Sequence, residues 1–269
     1  KKIFISHSVF IRYAAIVKSG YKFRKSKIFI LYPKNALGEG IFQNISFLKI
    51  YPPHFLQFEK YWNFKNNFEK LKNKKKLIRD SKKELFSRIY NQKISKRFMI
   101  KNNPYDKKNI IKIESKKPKI IIIASCFFDA LNFFRNSLYT ECYTFVMDLL
   151  KIAKKTNFDW YIKPHPDGTS KNSDVVKKIQ RDYPFVKLID PKVSNISFKK
   201  NNFKAMFTFK GSAIHEFEFM GVPTVAVSEN GQSSYKFGKH INNKEILKKL
   251  ILNADKLKPA SNYYDIYSY

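Results

Sequence analysis

Cysteine is almost absent: Cys126 and Cys142 are the two in 269 residues. They cannot build a disulfide framework, and a zinc site would need further ligands. Both are expected as reduced core residues. No uninterrupted apolar run approaches the roughly 20 residues that a membrane-spanning helix needs. The opening Lys1-Lys2-Ile3-Phe4-Ile5-Ser6-His7 is basic then apolar, but its apolar stretch is too short and too soon broken for a secretion signal. A cytoplasmic protein is expected, peripheral at most at the inner face of the plasma membrane. The first residue is Lys1 and not methionine, which points to a start inside a longer protein. Catalytic signatures are also lacking: there is no Walker loop, no Gly-x-Gly-x-x-Gly and no zinc-protease motif. Without an Asp-x-Asp pair to hold a divalent ion on a diphosphate, metal-independent chemistry with no cofactor is expected.

Acidic residues are scarce as well. Against 53 Lys and Arg stand 21 Asp and Glu, a net charge of +32. Such a surface attracts phosphates, nucleic acid or anionic lipid. Yet only seven of the basic residues are arginine (12, 24, 79, 88, 97, 135 and 181), and Asn, Ile, Phe and Tyr abound. That mixture is what AT-rich coding produces whatever the function. Runs such as Lys72–Lys76 therefore read as solvated helix faces and not as a specific nucleic-acid site. The charge favours a weak peripheral contact with anionic head groups.

What is present is enough apolar residue, 43%, with 16% aromatic, to bury a sizeable core. The character of the chain changes near Pro118. Before it lie one strand candidate (26–32), a Gly-containing turn (35–40), long helix-like stretches over 55–100, and a polar, Pro-containing linker over 101–118. After it, strands alternate with helices. Lys119–Ala124 is a β-branched run suited to a strand buried on both faces. An apolar stripe marks a helix over 137–155. Further strands are expected at 158–163, 185–190, 204–209 and 223–227, with helices near 173–181, 213–220 and 243–253. The expected fold is α/β: a Rossmann-like domain over 119–269, with ligands at the carboxyl ends of its strands, and a smaller, partly helical amino-terminal domain over 1–118.

Two motifs fall at strand ends. In Lys163-Pro164-His165-Pro166 the prolines fix the backbone around the imidazole, and Lys163 adds a point charge for a phosphate oxygen. In Lys210-Gly211-Ser212, running into a helix that carries Glu216, Gly211 allows close backbone approach and the helix start offers N–H groups to an anion. Glu216, one turn on, suits the hydroxyls of a ribose. A helix cap would also account for Ser212, and a capping-box partner for Glu216.

Lys163-Pro-His-Pro166, Gly211-Ser-x-x-x-Glu216 and Gly221-Val-Pro223 together resemble the capsule and surface polysaccharide biosynthesis family. Residues 129–135 and Trp160–Pro166 are similar to it too, and Leu37-Gly-Glu-Gly-Ile-Phe42 is similar to a segment of its amino-terminal half. The resemblance covers about 119–240 well. It implies a GT-B glycosyltransferase with the donor held mainly by the carboxy-terminal domain; several relatives use a CMP-activated ulosonic acid such as Kdo. By matching position, Lys163, His165, Gly211 and Ser212 would bind the donor phosphate and Glu216 the ribose or base. Gln43 stands where an aspartate is expected in relatives. That leaves the catalytic base between Glu39 and Asp129. The implied partners are a nucleotide sugar and a glycan or glycolipid acceptor. The rivals are a sugar-nucleotide epimerase, a polyol-phosphate transferase, a basic RNA- or lipid-binding module, and a degenerate transferase.

Overall fold

A computed structural model describes residues 2–5, 19, 27–33, 45–50, 64–90, 103–128, 137–166, 170–228 and 231–269. The chain divides into two units, Lys1–Tyr61 with Ala130–Arg135, and Trp62–Asp129 with Asn136–Tyr269.

In the first unit, β1 (Lys2–Ile5), β2 (Lys27–Pro33) and β3 (Ile45–Ile50) form a sheet in that order. β1 runs parallel to β2, and β3 antiparallel to it. One strand was expected ahead of residue 55; the described residues there hold three. The two extra strands are short, and Ser46 and Lys49 break the apolar run of β3. Sequence periodicity therefore had little to register.

The second unit opens with helices α1 (Phe64–Glu69) and α2 (Lys74–Tyr90). There follow β4 (Lys119–Ile123), α3 (Cys142–Ala153), β5 (Asp159–Lys163), α4 (Ser170–Asp182), β6 (Val186–Leu188), α5 (Ile196–Lys200) and β7 (Ala205–Thr208). The chain continues with α6 (Ala213–Phe219), β8 (Thr224–Ala226), β9 (Lys239–His240), α7 (Lys244–Leu252) and α8 (Tyr263–Ser268). The six strands lie in the order β6-β5-β4-β7-β8-β9, and every pairing is parallel. Counted from β4 this is 3-2-1-4-5-6, the order of a Rossmann-type sheet.

Burial explains why the sheet takes helices on both faces. Along β4, Ile120 and Ile122 join one core cluster and Ile121 the other. Trp160 and Ile162 alternate with Tyr161 in β5, and Ala205 and Phe207 alternate with Met206 in β7. The first cluster is covered by α3, α4 and α7, the second by α2, α5, α6 and α8. Each fully buried isoleucine of β4 contributes roughly 1.5–3 kcal/mol. Among the described residues no helix is long and apolar enough to cross a membrane.

Two expectations change here. The helix expected from 137 begins at Cys142, because Ser137 bridges to Ser228 and the Leu138 N–H donates to the Val227 carbonyl, which holds the preceding turn extended. Residues 103–113 are no free linker. The Ser194 and Asn195 N–H groups donate to the carbonyls of Asn109 and Pro104 at 2.9 and 2.7 Å. The Ile111 N–H donates to Ser197 Oγ and the Ile113 N–H to Asn201 Oδ1, at 3.1 and 2.7 Å. Tyr105 is 1% exposed within this strap. The boundary expected at 118 falls inside the second unit, whose helix α2 and strap pack on one face of the six-stranded sheet. Cys142 is buried, and burial pushes its thiol up to about 12, while Cys126 is half-buried; both are free.

Candidate functional site

In a parallel sheet all strand carboxyl ends share one edge, and the crevice for a ligand opens where the winding reverses, here between β4 and β7. The register sets the two motifs level. Ile123 pairs with Lys163 on one side and with Thr208 on the other. The Lys163 and Thr208 backbones therefore flank β4 at two strand spacings, about 10 Å apart. Side chains stitch this edge together. Thr208 Oγ1 donates to the Ile123 carbonyl at 2.9 Å, Ser125 Oγ to the Lys210 carbonyl at 3.0 Å, and the Ala124 N–H to the Lys163 carbonyl at 2.9 Å.

Beyond the edge, His165, Gly211 and Ser212 are exposed. Gly211 has φ +128° with nothing within 4 Å of where a Cβ would sit, so backbone conformation, and not space, requires glycine there. Ser212 occupies the cap position of α6, but its hydroxyl makes no capping hydrogen bond.

Below the edge lies a buried polar chain. The Lys163 ammonium, 2% exposed, donates to Asn195 Oδ1 at 2.8 Å. The Tyr105 hydroxyl, near enough to Asn195 for the amide to favour its ionised form, donates to Glu216 Oε2. Glu216 Oε1 ion-pairs with Arg88 of α2. Burial pushes the Lys163 ammonium down to about 8, against the pull of the Glu216 and Asp190 carboxylates. Burial also drives the Tyr105 phenol well up, and the neighbouring Glu216 carboxylate adds to this.

Glu216 thus differs from its expected placement. It is 3% exposed, and both carboxylate oxygens are engaged inside the protein instead of facing the cleft. The cause is the docked strap, which brings Tyr105 against α6. Glu39 and Asp129 lie outside the described residues, as do Gln43 and the turn at 35–40. Sequence reasoning missed Arg88, Tyr105 and Asn195. For Arg88 a signal existed: it is one of only seven arginines in a lysine-rich chain, and arginine is the residue suited to buried ion pairs.

Two histidines near this edge are structural. His215 Nε2–H donates to the Ile266 carbonyl at 2.5 Å, and the ring packs between Phe237 and Tyr269. Burial holds His215 and His240 down at about 4. An unfolded histidine titrates near 6.5, so between about 6.5 and 4 the unfolded chain binds more protons than the folded one. The stability these rings contribute is therefore present above about 6.5 and lost as the pH falls towards 4. Each histidine adds a slope of about 1.4 kcal/mol per pH unit within that window. Urea unfolding at pH 7.0 and 5.5 checks this: stability falls in the wild type and falls less in His215→Gln. Equal stability at the two pH values would contradict the buried, neutral placement.

A parallel, doubly wound six-stranded sheet in this strand order defines a protein of the Rossmann-like class. No family model matches the chain, and no curated protein does. Among solved structures it is similar to KpsC, the beta Kdo 2,7 transferase of Thermosulfurimonas dismutans, at 15% identity over 94% of this chain and 75% of that one, with a TM-score of 0.46. At that level the fold rests on the strand order and register described above.

Proposed function

We propose that this chain is a GT-B glycosyltransferase of surface-polysaccharide assembly that holds a nucleotide-activated sugar with its phosphate at the carboxyl edge of the six-stranded sheet. The observation that carries the reading is the register that sets Lys163 and Thr208 level on either side of β4, so that two phosphate-suited segments leave the sheet side by side. The Lys163-Pro-His-Pro166 and Gly211-Ser-x-x-x-Glu216 motifs, which resemble those of the capsule polysaccharide family, fall on those two segments.

In this reading the donor is a CMP-activated ulosonic acid such as Kdo, and the acceptor a glycan or glycolipid. Bond breaking at the sugar leaves negative charge on the departing phosphate. Lys163, His165, the N–H groups at Gly211 and Ser212, and the Ser212 hydroxyl stabilise that charge without a metal. The acceptor hydroxyl loses its proton to a carboxylate, with Glu39 first and Asp129 second as the candidates. A ribose role for Glu216 would require release from Arg88 and Tyr105; its simpler part is counter-charge to Lys163. The lysine-rich helices favour a peripheral contact with anionic lipid.

His165→Ala and Ser212→Ala test the phosphate site without threatening the fold, since both residues are exposed. Each is expected to weaken nucleotide binding about 10-fold in metal-free calorimetry, the worth of one hydrogen bond to a charged group, with an unchanged melting temperature. Wild-type affinity in both variants would remove the site from this edge.

A further inference from the structure

Lys163 is the buried cation of the proposed phosphate site, and it stands at the end of a chain of side chains that no motif announced. A lysine stem has four rotatable carbons and on its own does not hold its ammonium in one place. Here Asn195 Oδ1 receives that ammonium at 2.8 Å. Asn195 is itself fixed, because its N–H donates to the Pro104 carbonyl and the neighbouring Ser194 N–H donates to the Asn109 carbonyl. The Asn201 amide donates to the Ile111 carbonyl at 2.8 Å, so the strap is pinned along the whole of α5. Tyr105, on that strap, reaches Glu216, which also pairs with Arg88. Two cations, Arg88 and Lys163, thus share the buried Glu216 carboxylate; the exposed Asp190 carboxylate also acts on Lys163.

We propose that Asn195, Tyr105 and Arg88 are positioning residues for the phosphate site: Asn195 holds the Lys163 ammonium just beneath the strand edge, while Tyr105 and Arg88 hold the Glu216 carboxylate as its counter-charge. The proposal rests on reading that edge as a phosphate site. It makes the strap and α2, which precede the six-stranded sheet in sequence, part of the donor site of that sheet. Among the described residues, the charged and titratable groups around Lys163 are Glu216 from α6 and Asp190 following β6, with Tyr105 and Arg88 behind Glu216 and His165 two residues along the chain.

The test is an NMR titration of the protein labelled at lysine Cε, without nucleotide, in wild type and Asn195→Asp, alongside calorimetry with CMP from pH 6.5 to 9.5. A carboxylate at position 195 in contact with the ammonium is expected to raise the Lys163 midpoint by about one to three pH units. The pH at which CMP binding weakens should rise with it. Tyr105→Phe, which keeps the ring but frees Glu216 from the phenol, is expected to weaken CMP binding several-fold while the protein still melts cooperatively. If Asn195→Asp does not fold, Asn195→Ser serves, with a several-fold loss of CMP affinity and a shifted Lys163 midpoint expected. A Lys163 midpoint unmoved by substitution at 195, or wild-type CMP affinity and pH profile in Tyr105→Phe, overturns the proposal. If the wild type binds no nucleotide while the midpoint still follows residue 195, the phosphate reading fails and the Asn195–Lys163 pairing stands.

Discussion

Glu216→Gln is expected to lower the unfolding free energy by about 3 kcal/mol and the melting temperature by about 6–12 °C. Glutamine keeps the shape and can still accept from Tyr105, so no cavity is made. What goes is the negative charge that Arg88 and the buried Lys163 share. Removing one partner of a buried pair costs 3–5 kcal/mol, and the low end applies because Arg88 retains 20% exposure. Tyr105→Phe removes only the hydroxyl and is expected to cost about 1–2 kcal/mol. Urea unfolding of both variants checks the ranking. Equal stability of Glu216→Gln and wild type would mean that the carboxylate is not the counter-charge of this cluster.

Lys163→Met is expected to do the opposite: to leave the fold nearly intact and to cost binding. Methionine is close to the lysine stem in length, and its introduction leaves Glu216 paired with Arg88. The Asn195 oxygen loses one donor, so stability should change by no more than about 1–2 kcal/mol. Nucleotide affinity should fall about 10- to 100-fold, the worth of one hydrogen bond from a charged donor to a phosphate. The wild-type protein should in turn lose affinity as the pH rises through about 8, where Lys163 discharges, and the methionine variant should show no such limb. Calorimetry from pH 6.5 to 9.5 measures both. Retention of the limb in Lys163→Met would assign it to another group.

The strands of the larger sheet other than β9 were legible because each carries a local signal. Lys119–Ile123, Asp159–Lys163 and Ala205–Thr208 each hold an apolar run of three or four residues that is buried on both faces. The period of their burial and the helices between them imply double winding. The strand order is non-local and had to be seen. So did β9, two residues long, and α5, five residues long, both too short for periodicity to register. The strap at 103–113 read as a linker because its attachments are backbone and amide hydrogen bonds to α5, about ninety residues away, and leave no pattern in local sequence.

The site divides in the same manner. His165, Gly211 and Ser212 stood out as candidates because proline and glycine mark unusual backbone, and Lys163 because it adjoins them. Glu216 was given the right helix and the wrong surroundings: its spacing from Ser212 fixes its turn of α6, but the Arg88 and Tyr105 that engage it come from elements far away in sequence. Asn195 carried no signal beyond a helix-start asparagine, and its side chain makes no capping bond; it holds Lys163 instead.

The most direct measurement is metal-free calorimetry of the wild type and Lys163→Met with CMP, CDP, UDP, GDP and ADP. Selective binding of CMP by the wild type, weakened about 10- to 100-fold in Lys163→Met, is the expected result. Binding of UDP or GDP in place of CMP, with the same loss in the variant, would keep the site and change the donor. A folded wild type that binds none of the five, or a Lys163→Met variant that binds as tightly as the wild type, would contradict the placement of a nucleotide phosphate at this strand edge.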